Sequence, residues 1–238
     1  MKVVPDAEFQ KIAEVSTVDR INIRAIFSKI DRAKYISHLD LNRTMQRALK
    51  RAGIPVWYTE GFNPHAYIMF PLALSLGVES KCEIMDLGIT EDISFDEIKS
   101  RLNNVLPEGL KIYSVALQQK KHTEIAFSEY KISLCSECSG TELGEKFNDF
   151  MNLDKIEIEK KTKKKGISLI DIKPFINVVS ENVIDDALNI ELRLPAGTQT
   201  NINPSLVLDA YEAFFAKPIE IKTIERTKIL CADGELFS

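Results

Sequence analysis

Two features near the start of this 238-residue chain carry residue types that could do chemistry: a run of cations and a histidine-bearing loop. The cations recur at helical spacing, at Arg43, Arg47, Lys50 and Arg51. A compact loop with the sequence GFNPH, Gly61 to His65, follows within ten residues. Arginine and lysine side chains at these spacings can each reach a backbone oxygen of a nucleic acid. The cations therefore predict a phosphate-facing surface, and a solvated helix face is the alternative.

The loop adds groups that could recognise a base. Asn63 precedes Pro64, which favours a turn, and His65 can donate, accept or titrate near neutral pH. The neighbouring rings of Trp57 and Tyr58 could stack on nucleobases or fill the core. We predict a binding site that includes Trp57, Tyr58, Asn63 and His65.

A second basic feature is the sequence KKTKKKG, Lys160 to Gly166. It predicts a hairpin bend that would bind phosphate or an acidic partner surface electrostatically, without sequence specificity. A solvated loop tip is the alternative. The candidate binding residues here are Lys163, Lys164 and Lys165.

Two histidines are the candidates for catalysis. His38 stands at the start of the basic helix and His65 ends the loop, and either could act as a general acid or base on RNA. Asp40 is close enough in sequence to His38 to form a weak acid and base pair. A structural role remains the alternative for each histidine.

Other catalytic and metal-binding signatures are missing from the sequence. It contains no P-loop, GxGxxG, HExxH or GxSxG motif. Cys135 and Cys138 have ligand-like spacing, but a structural zinc site needs four ligands and no second pair exists. We therefore expect no metal and no cofactor, and the sequence favours a binding protein over an enzyme.

The composition is that of a soluble globular protein, with 45% hydrophobic and 28% charged residues. A net charge of -4 argues against nucleic-acid binding over the whole protein surface. No apolar run reaches the roughly 18 residues needed to span a bilayer, and the first residues lack the apolar region of a secretory signal. We expect a cytoplasmic protein without a membrane partner.

The pattern of apolar residues indicates how these features are positioned. Ser37 is placed to cap a helix that runs to about Ala52, with Gly53 as its C-terminal stop. Two extended stretches, VWYTE and AYIMFPLALSLGV, follow and flank the GFNPH loop. The loop is therefore expected to join two strands directly beyond the basic helix.

The order of elements predicts an α+β fold. Residues 21–118 show strand, helix, two or three strands, helix and strand, and residues 127–238 repeat this order. The order matches two tandem ferredoxin-like, or split βαβ, domains with antiparallel sheets, each covered on one face by two helices. Residues 1–20 form an N-terminal arm, and the polar segment at 118–126 is the expected linker.

Three motifs resemble those of the bacterial radical-SAM-linked protein family, a domain of unknown function. They are HLD-x₂-R from His38 to Arg43, GFNPH, and PLxLxLGxxS from Pro71 to Ser80, and the likeness extends from about Ile21 to Leu230. Members of that family occur beside, or fused to, a B12-binding-type radical SAM protein, near genes for an RNase E/G-like enzyme and ribosomal proteins. The resemblance implies an accessory protein that presents a substrate, tRNA or rRNA, to a radical SAM partner.

A more distant likeness is to the CRISPR repeat-processing endoribonucleases. Those proteins are also tandem ferredoxin-like and hold RNA against basic surfaces, often with a histidine near the first helix. Their glycine-rich loop near the C-terminus has no counterpart here, since the segment Ala232 to Gly234 is too short. An RNA-processing enzyme stays open as one alternative, and a pure protein-interaction scaffold as another.

Overall fold

A computed structural model describes residues 20–161, 167–198 and 200–238. The chain has two halves, defined here as β1 to β4 and β5 to β10. The first half contains β1 (Ile21–Lys29), α1 (His38–Arg51), β2 (Ile68–Met69), β3 (Glu79–Ile89), α2 (Phe95–Asn103) and β4 (Leu110–Leu117). The second contains β5 (Ile125–Cys135), α3 (Gly140–Met151), β6 (Glu157–Lys161), β7 (Ile167–Asp171), β8 (Asn177–Ile184), β9 (Ala187–Pro195), α4 (Pro204–Phe215) and β10 (Glu220–Cys231). Short 3₁₀ helices lie at Asp31–Tyr35, His122–Glu124 and Lys173–Phe175.

One large sheet runs through both halves, in the order β4-β1-β3-β10-β5-β9-β8. β2 pairs with the far end of β3, on the edge that β10 also uses. β10 and β3 are parallel, at Glu225 with Glu79 and at Arg226 with Ser80. The other described pairs are antiparallel, and β6 and β7 form a separate two-stranded sheet. The predicted α+β class is confirmed, with a mainly antiparallel sheet.

Helix α1 forms where the sequence predicts it. The Ser37 hydroxyl accepts a hydrogen bond from the Asp40 N–H at 3.1 Å, which caps the first turn. Gly53 has a φ of 61° just beyond the helix, and the Ile54 N–H then donates to the Leu49 carbonyl at 3.1 Å. The face that docks on the sheet is buried at Leu41, Met45, Ala48 and Leu49.

The two extended stretches around the loop are less regular than expected. Val56 and Tyr58 make isolated bridges only, to Ile89 and Ala66, and the ladder itself is limited to Ile68–Met69. The prediction of a strand over VWYTE is therefore wrong. The predicted strand from 66 to 78 is also mostly wrong, because the chain leaves the sheet after two paired residues.

Residues 71–78 join the two halves. Leu74 and Val78 are buried in the core of the second half, although they belong to the first half in sequence. Asn203, before α4, donates from its side chain to the Ser75 hydroxyl at 2.5 Å. The Gly77 N–H donates to the Lys34 carbonyl at 3.0 Å on the first-half side. This junction segment is therefore held from both sides.

A buried ion pair reinforces the junction. The Arg226 guanidinium on β10 lies 2.6 Å from a Glu83 carboxylate oxygen on β3, and both side chains are almost fully buried. Arg226 also donates to the carbonyls of Leu72 and Ala73, each at 3.3 Å. Because the remaining guanidinium hydrogens find backbone acceptors, the buried charge is compensated.

No helix in the described ranges has the length and apolar character that a bilayer crossing requires.

Candidate nucleic-acid interface

The predicted cations lie on the outward face of α1. All four, Arg43, Arg47, Lys50 and Arg51, are exposed. An α-helix rises about 1.5 Å per residue, so they cover about 12 Å along the axis. We call this set the cation stripe. Its members project on the face opposite to the buried residues of the same helix.

Two of the four cations have partners. Arg43 lies 3.2 Å from the Asp40 carboxylate, so the acid at the helix start pairs with the stripe. Arg51 donates to the Val105 carbonyl at 2.9 Å. Hydrogen bonds from Ser37 and then from Arg43 hold the pKa of Asp40 below its ordinary value. An exposed ion pair of this kind adds little stability, so Arg43 can exchange Asp40 for another anion.

Arg47 and Lys50 differ from these two. In the part of the chain that the structure describes, neither has an ion-pair or hydrogen-bond partner. Like charges three and four residues apart repel, at a cost of about 0.2–0.5 kcal/mol per pair in isolated helices. The centre of the stripe is thus a place where an added anion would relieve repulsion.

Directly beyond α1 the chain forms an irregular hairpin at residues 56–67, which we call the aromatic hairpin. Its base is fixed to the end of β3, because the Trp57 N–H donates to the Gly88 carbonyl at 2.8 Å. The two arms are joined where the Tyr67 N–H donates to the Trp57 carbonyl at 2.9 Å. The Tyr58 side chain is 48% exposed at the outer end of this base.

Trp57 is less available than predicted. Its ring lies 5.7 Å from the Tyr67 ring, edge to face, and 4.9 Å from the Arg20 guanidinium. The same guanidinium lies 4.7 Å from the Tyr67 ring. Trp57 is half-buried in this cluster. Of the two predicted stacking rings, Tyr58 is the one that remains open.

The GFNPH loop is closed by its own residues. The Nδ1 atom of His65 lies 3.1 Å from both the Thr59 hydroxyl and the Asn63 carbonyl. The His65 N–H donates to the same hydroxyl at 3.2 Å. Gly61 has a φ of 126°, which side-chain-bearing residues rarely adopt. His65 and Asn63 are exposed, and these contacts give His65 a part in shaping the loop.

His38 has a different environment. Its ring packs edge-on against Phe70, with centroids 5.5 Å apart. Asp40, the predicted partner of His38, is bound to Ser37 and Arg43 instead. A general base is normally oriented by a further hydrogen-bonding group, and the contacts of His38 among the described residues do not supply one.

The cysteines do not build a metal site. Cys135 lies 3.3 Å from a Glu220 carboxylate oxygen, and no group of three or more His, Cys, Asp or Glu side chains in the described ranges could hold a metal ion. Burial raises the pKa of the Cys82 thiol to about 11. Cys82 is therefore an unreactive thiol.

Two residues near the site lie outside the predicted set of binding residues. Arg20 forms the cationic side of the Trp57 cluster, and Phe62 stands fully exposed at the loop tip. The signal for Phe62 was its place between Gly61 and Asn63, since a turn tip cannot cover a large ring. The predicted lysines Lys163, Lys164 and Lys165 lie between β6 and β7, outside the described residues.

The model of one protein family matches residues 22–204. That family is described as "Uncharacterized protein conserved in bacteria (DUF2344)", and the chain belongs to it. The match includes α1, the aromatic hairpin, the junction segment and most of the second half. No curated protein matches the chain.

Solved structures give low similarity. A chain in the crystal structure of a Cbf5-Nop10-Gar1 complex is 10% identical, with a TM-score of 0.45 over 88% of this chain and 49% of that chain. This chain thus spans about half of its length. An unknown protein from Galdieria sulphuraria is 12% identical, with a TM-score of 0.28 over 85% of this chain and 98% of that one. A CRISPR-associated protein from Thermus thermophilus is 8% identical, with a TM-score of 0.22 over 84% and 98%. Similarity at this level carries no functional argument.

Proposed function

We propose that this protein is a non-catalytic binding module that holds RNA on the cation stripe and presents it to a radical SAM enzyme in the cytoplasm. The observation that carries the RNA part is the centre of the stripe. Arg47 and Lys50 are exposed and have no acidic partner among the described residues, in a chain whose net charge is -4. A phosphate backbone would supply the missing counter-charge.

The aromatic hairpin supports the RNA part of the proposal, because it directly follows the helix that carries the cation stripe. Arg51, the last residue of α1, is separated from Val56 at the hairpin base by only four residues. The Ile54 N–H bond to the Leu49 carbonyl shows that the chain turns at once at the helix end. Cations and exposed aromatic rings side by side are the combination that binds single-stranded nucleic acid.

For the fold, we propose two tandem ferredoxin-like domains at 21–118 and 127–238, preceded by an arm at 1–20. The strand orders support this proposal. They are β4-β1-β3-β2 in the first half and β10-β5-β9-β8 in the second, and each half has the β-α-β-β-α-β order with one inserted hairpin in the second. Both binding features then belong to the first domain.

The radical SAM partner in this proposal is supported by the resemblance of the three motifs between His38 and Ser80. Co-expression with a B12-binding-type radical SAM protein, the kind that accompanies members of the resembled family, tests it. We expect the two proteins to co-purify. Failure to co-purify under conditions where both proteins are folded would contradict the proposed partner. It would not affect the proposal that the protein binds RNA.

The RNA part is tested by measuring binding of total tRNA and rRNA at two salt concentrations. Arg47→Ala with Lys50→Ala should weaken binding and lower the salt slope by about 1.4, since each phosphate contact on a single strand contributes about 0.7. The matched control is Lys146→Ala with Lys217→Ala. These are exposed cations of the second half that pair with Asp149 and Glu142.

The control variant should bind like the unchanged protein. Equal affinity of all three proteins would contradict the proposal. Cleavage of the RNA by the purified protein, lost on His38→Ala or His65→Ala, would instead favour the RNA-processing alternative.

A further inference from the structure

A single aromatic ring is left fully in water at the tip of the aromatic hairpin. The Phe62 side chain is completely exposed, with a relative accessibility of 106%, the highest among the exposed large hydrophobic residues of the described chain. Burying a phenylalanine is worth roughly 1.5–3 kcal/mol, so the fold gains nothing from placing the ring there. The ring is therefore free to contact a ligand outside the fold.

The tip that carries Phe62 has a defined shape. The Thr59 N–H donates to the His65 carbonyl at 2.9 Å, and the Thr59 hydroxyl bonds both the backbone and the ring of His65. These contacts close the loop below the ring. A ring on a closed loop loses less conformational freedom on binding than one on an open chain.

The surroundings of Phe62 fit a nucleobase better than an apolar protein pocket. Its loop neighbours are Glu60, Gly61, Asn63 and Pro64, all exposed and none a large apolar residue. The buried centre of a protein interface is a contiguous apolar patch, which this tip does not offer. A nucleobase needs only one ring face, and the cations that would hold its phosphates end four residues before the hairpin.

We infer that Phe62 stacks on an unpaired base of the bound RNA, so that the substrate class is RNA with single-stranded or looped-out nucleotides. The inference rests on the proposed RNA binding and adds which RNA is bound. Bases within an A-form duplex are stacked on each other, so their faces are not open to a ring on a loop tip.

The test compares an unstructured RNA oligonucleotide with a perfect RNA duplex of equal length by fluorescence anisotropy. Phe62→Ala should weaken binding of the unstructured RNA by about 10- to 100-fold and leave duplex binding unchanged, since stacking on one base accounts for an effect of this size. The control is Tyr113→Ala. Tyr113 is an exposed ring on β4, which β1 and β3 separate from the hairpin.

A second readout detects the stacking directly. Trp57 is the single tryptophan of the chain. A variant that combines Trp57→Phe with Phe62→Trp therefore carries its only indole at the loop tip. Unstructured RNA should quench the fluorescence of this variant, and the duplex should not.

The outcomes separate this inference from the proposed function. If Phe62→Ala changes neither RNA but the stripe variant loses binding, the stacking inference is overturned and RNA binding stands. An equal loss on both RNAs also overturns it, and so does an unquenched indole. If the unchanged protein binds no RNA, the proposed function fails and this inference with it. Loss of a protein partner on Phe62→Ala, with RNA binding intact, would assign the ring to protein docking.

Discussion

Two pairs of cations, one pair in each half, have different surroundings. In the second half, Arg193 and Lys228 each lie 2.6 Å from a carboxylate oxygen of Glu129, whose side chain is buried. In the first half, Arg47 and Lys50 point outward without such an acid among the described residues. Arg193 and Lys228 thus stabilise the second half, whereas Arg47 and Lys50 leave charge available on the surface of α1. The difference supports the proposal that α1 binds an anion.

The halves also differ at the connection that follows their first helix. In the first half this connection forms the irregular aromatic hairpin at 56–67, which leads into β2, and in the second half it contains the paired strands β6 and β7 ahead of β8. The first has an aromatic tip, and the sequence between β6 and β7 is rich in lysine. In the sequence, both predicted binding loops therefore follow the first helix of their half. Function concentrates on connections, because a scaffold tolerates change there.

The largest expected effect on the free energy of unfolding is at the junction. It tests whether the junction links the two halves structurally. Arg226→Ala would leave the Glu83 carboxylate buried without its partner, at a cost of about 3–5 kcal/mol in the free energy of unfolding. Urea denaturation measures it. The double variant Arg226→Met with Glu83→Gln removes both charges and should recover most of the loss. A loss below about 1 kcal/mol for the single variant would mean that the junction is not a structural link.

The second prediction concerns Glu129, whose buried carboxylate is paired with two cations of the second half. Burial acts to raise the pKa of Glu129, but hydrogen bonds and charge from Lys228 and Arg193 outweigh it, so this pKa lies below its ordinary value of 4.5. The group therefore stabilises the fold fully above about pH 4.5, and this stability is lost as the pH falls through the lower folded pKa.

Glu129→Gln should remove this part of the acid dependence and lower the free energy of unfolding at pH 7 by about 1.5–3 kcal/mol, the usual contribution of hydrogen bonds to a charged group. Thermal unfolding from pH 3 to pH 7 measures both effects. Glu191→Gln, a more exposed carboxylate on the neighbouring strand β9, serves as the control. An acid dependence identical to that of the unchanged protein would refute the role of Glu129.

The smallest expected effect on the free energy of unfolding concerns the cation stripe of the first half. Arg47→Glu would place an acid between Arg43 on one side and Lys50 and Arg51 on the other. Repulsion along the helix becomes attraction, so the free energy of unfolding should rise by about 0.3–1 kcal/mol. RNA binding should be lost in the same variant. A variant that becomes less stable would show that the stripe is not under like-charge strain.

The sequence predicts the local part of this site well. The cap at Ser37, the stop at Gly53 and the apolar face of α1 are all encoded within one helix length, and all three are present. The exposure of the stripe follows from the same periodicity. These features depend on neighbours a few residues apart, which a single sequence displays directly.

The rest depends on partners far away in the chain. The parallel pairing of β3 with β10 and the Arg226–Glu83 pair join residues more than 140 positions apart. Similarly, the aromatic residues near the loop look alike in sequence, but Arg20 covers Trp57 and leaves Phe62 in water. Spacing alone cannot reveal which ring is covered, because the covering side chain comes from a distant segment of the chain.

The pairing of β3 with β10 has a consequence for biosynthesis. The ribosome releases the chain from the N-terminus at roughly 5–20 residues per second, so β3 waits roughly 7–30 s for β10. During this time the edge of β3 that β10 later occupies is open, and Leu74 and Val78 have no core to enter. An open strand edge beside apolar side chains is a site for aggregation. The nascent chain therefore carries an aggregation-prone strand edge until β10 has been synthesised.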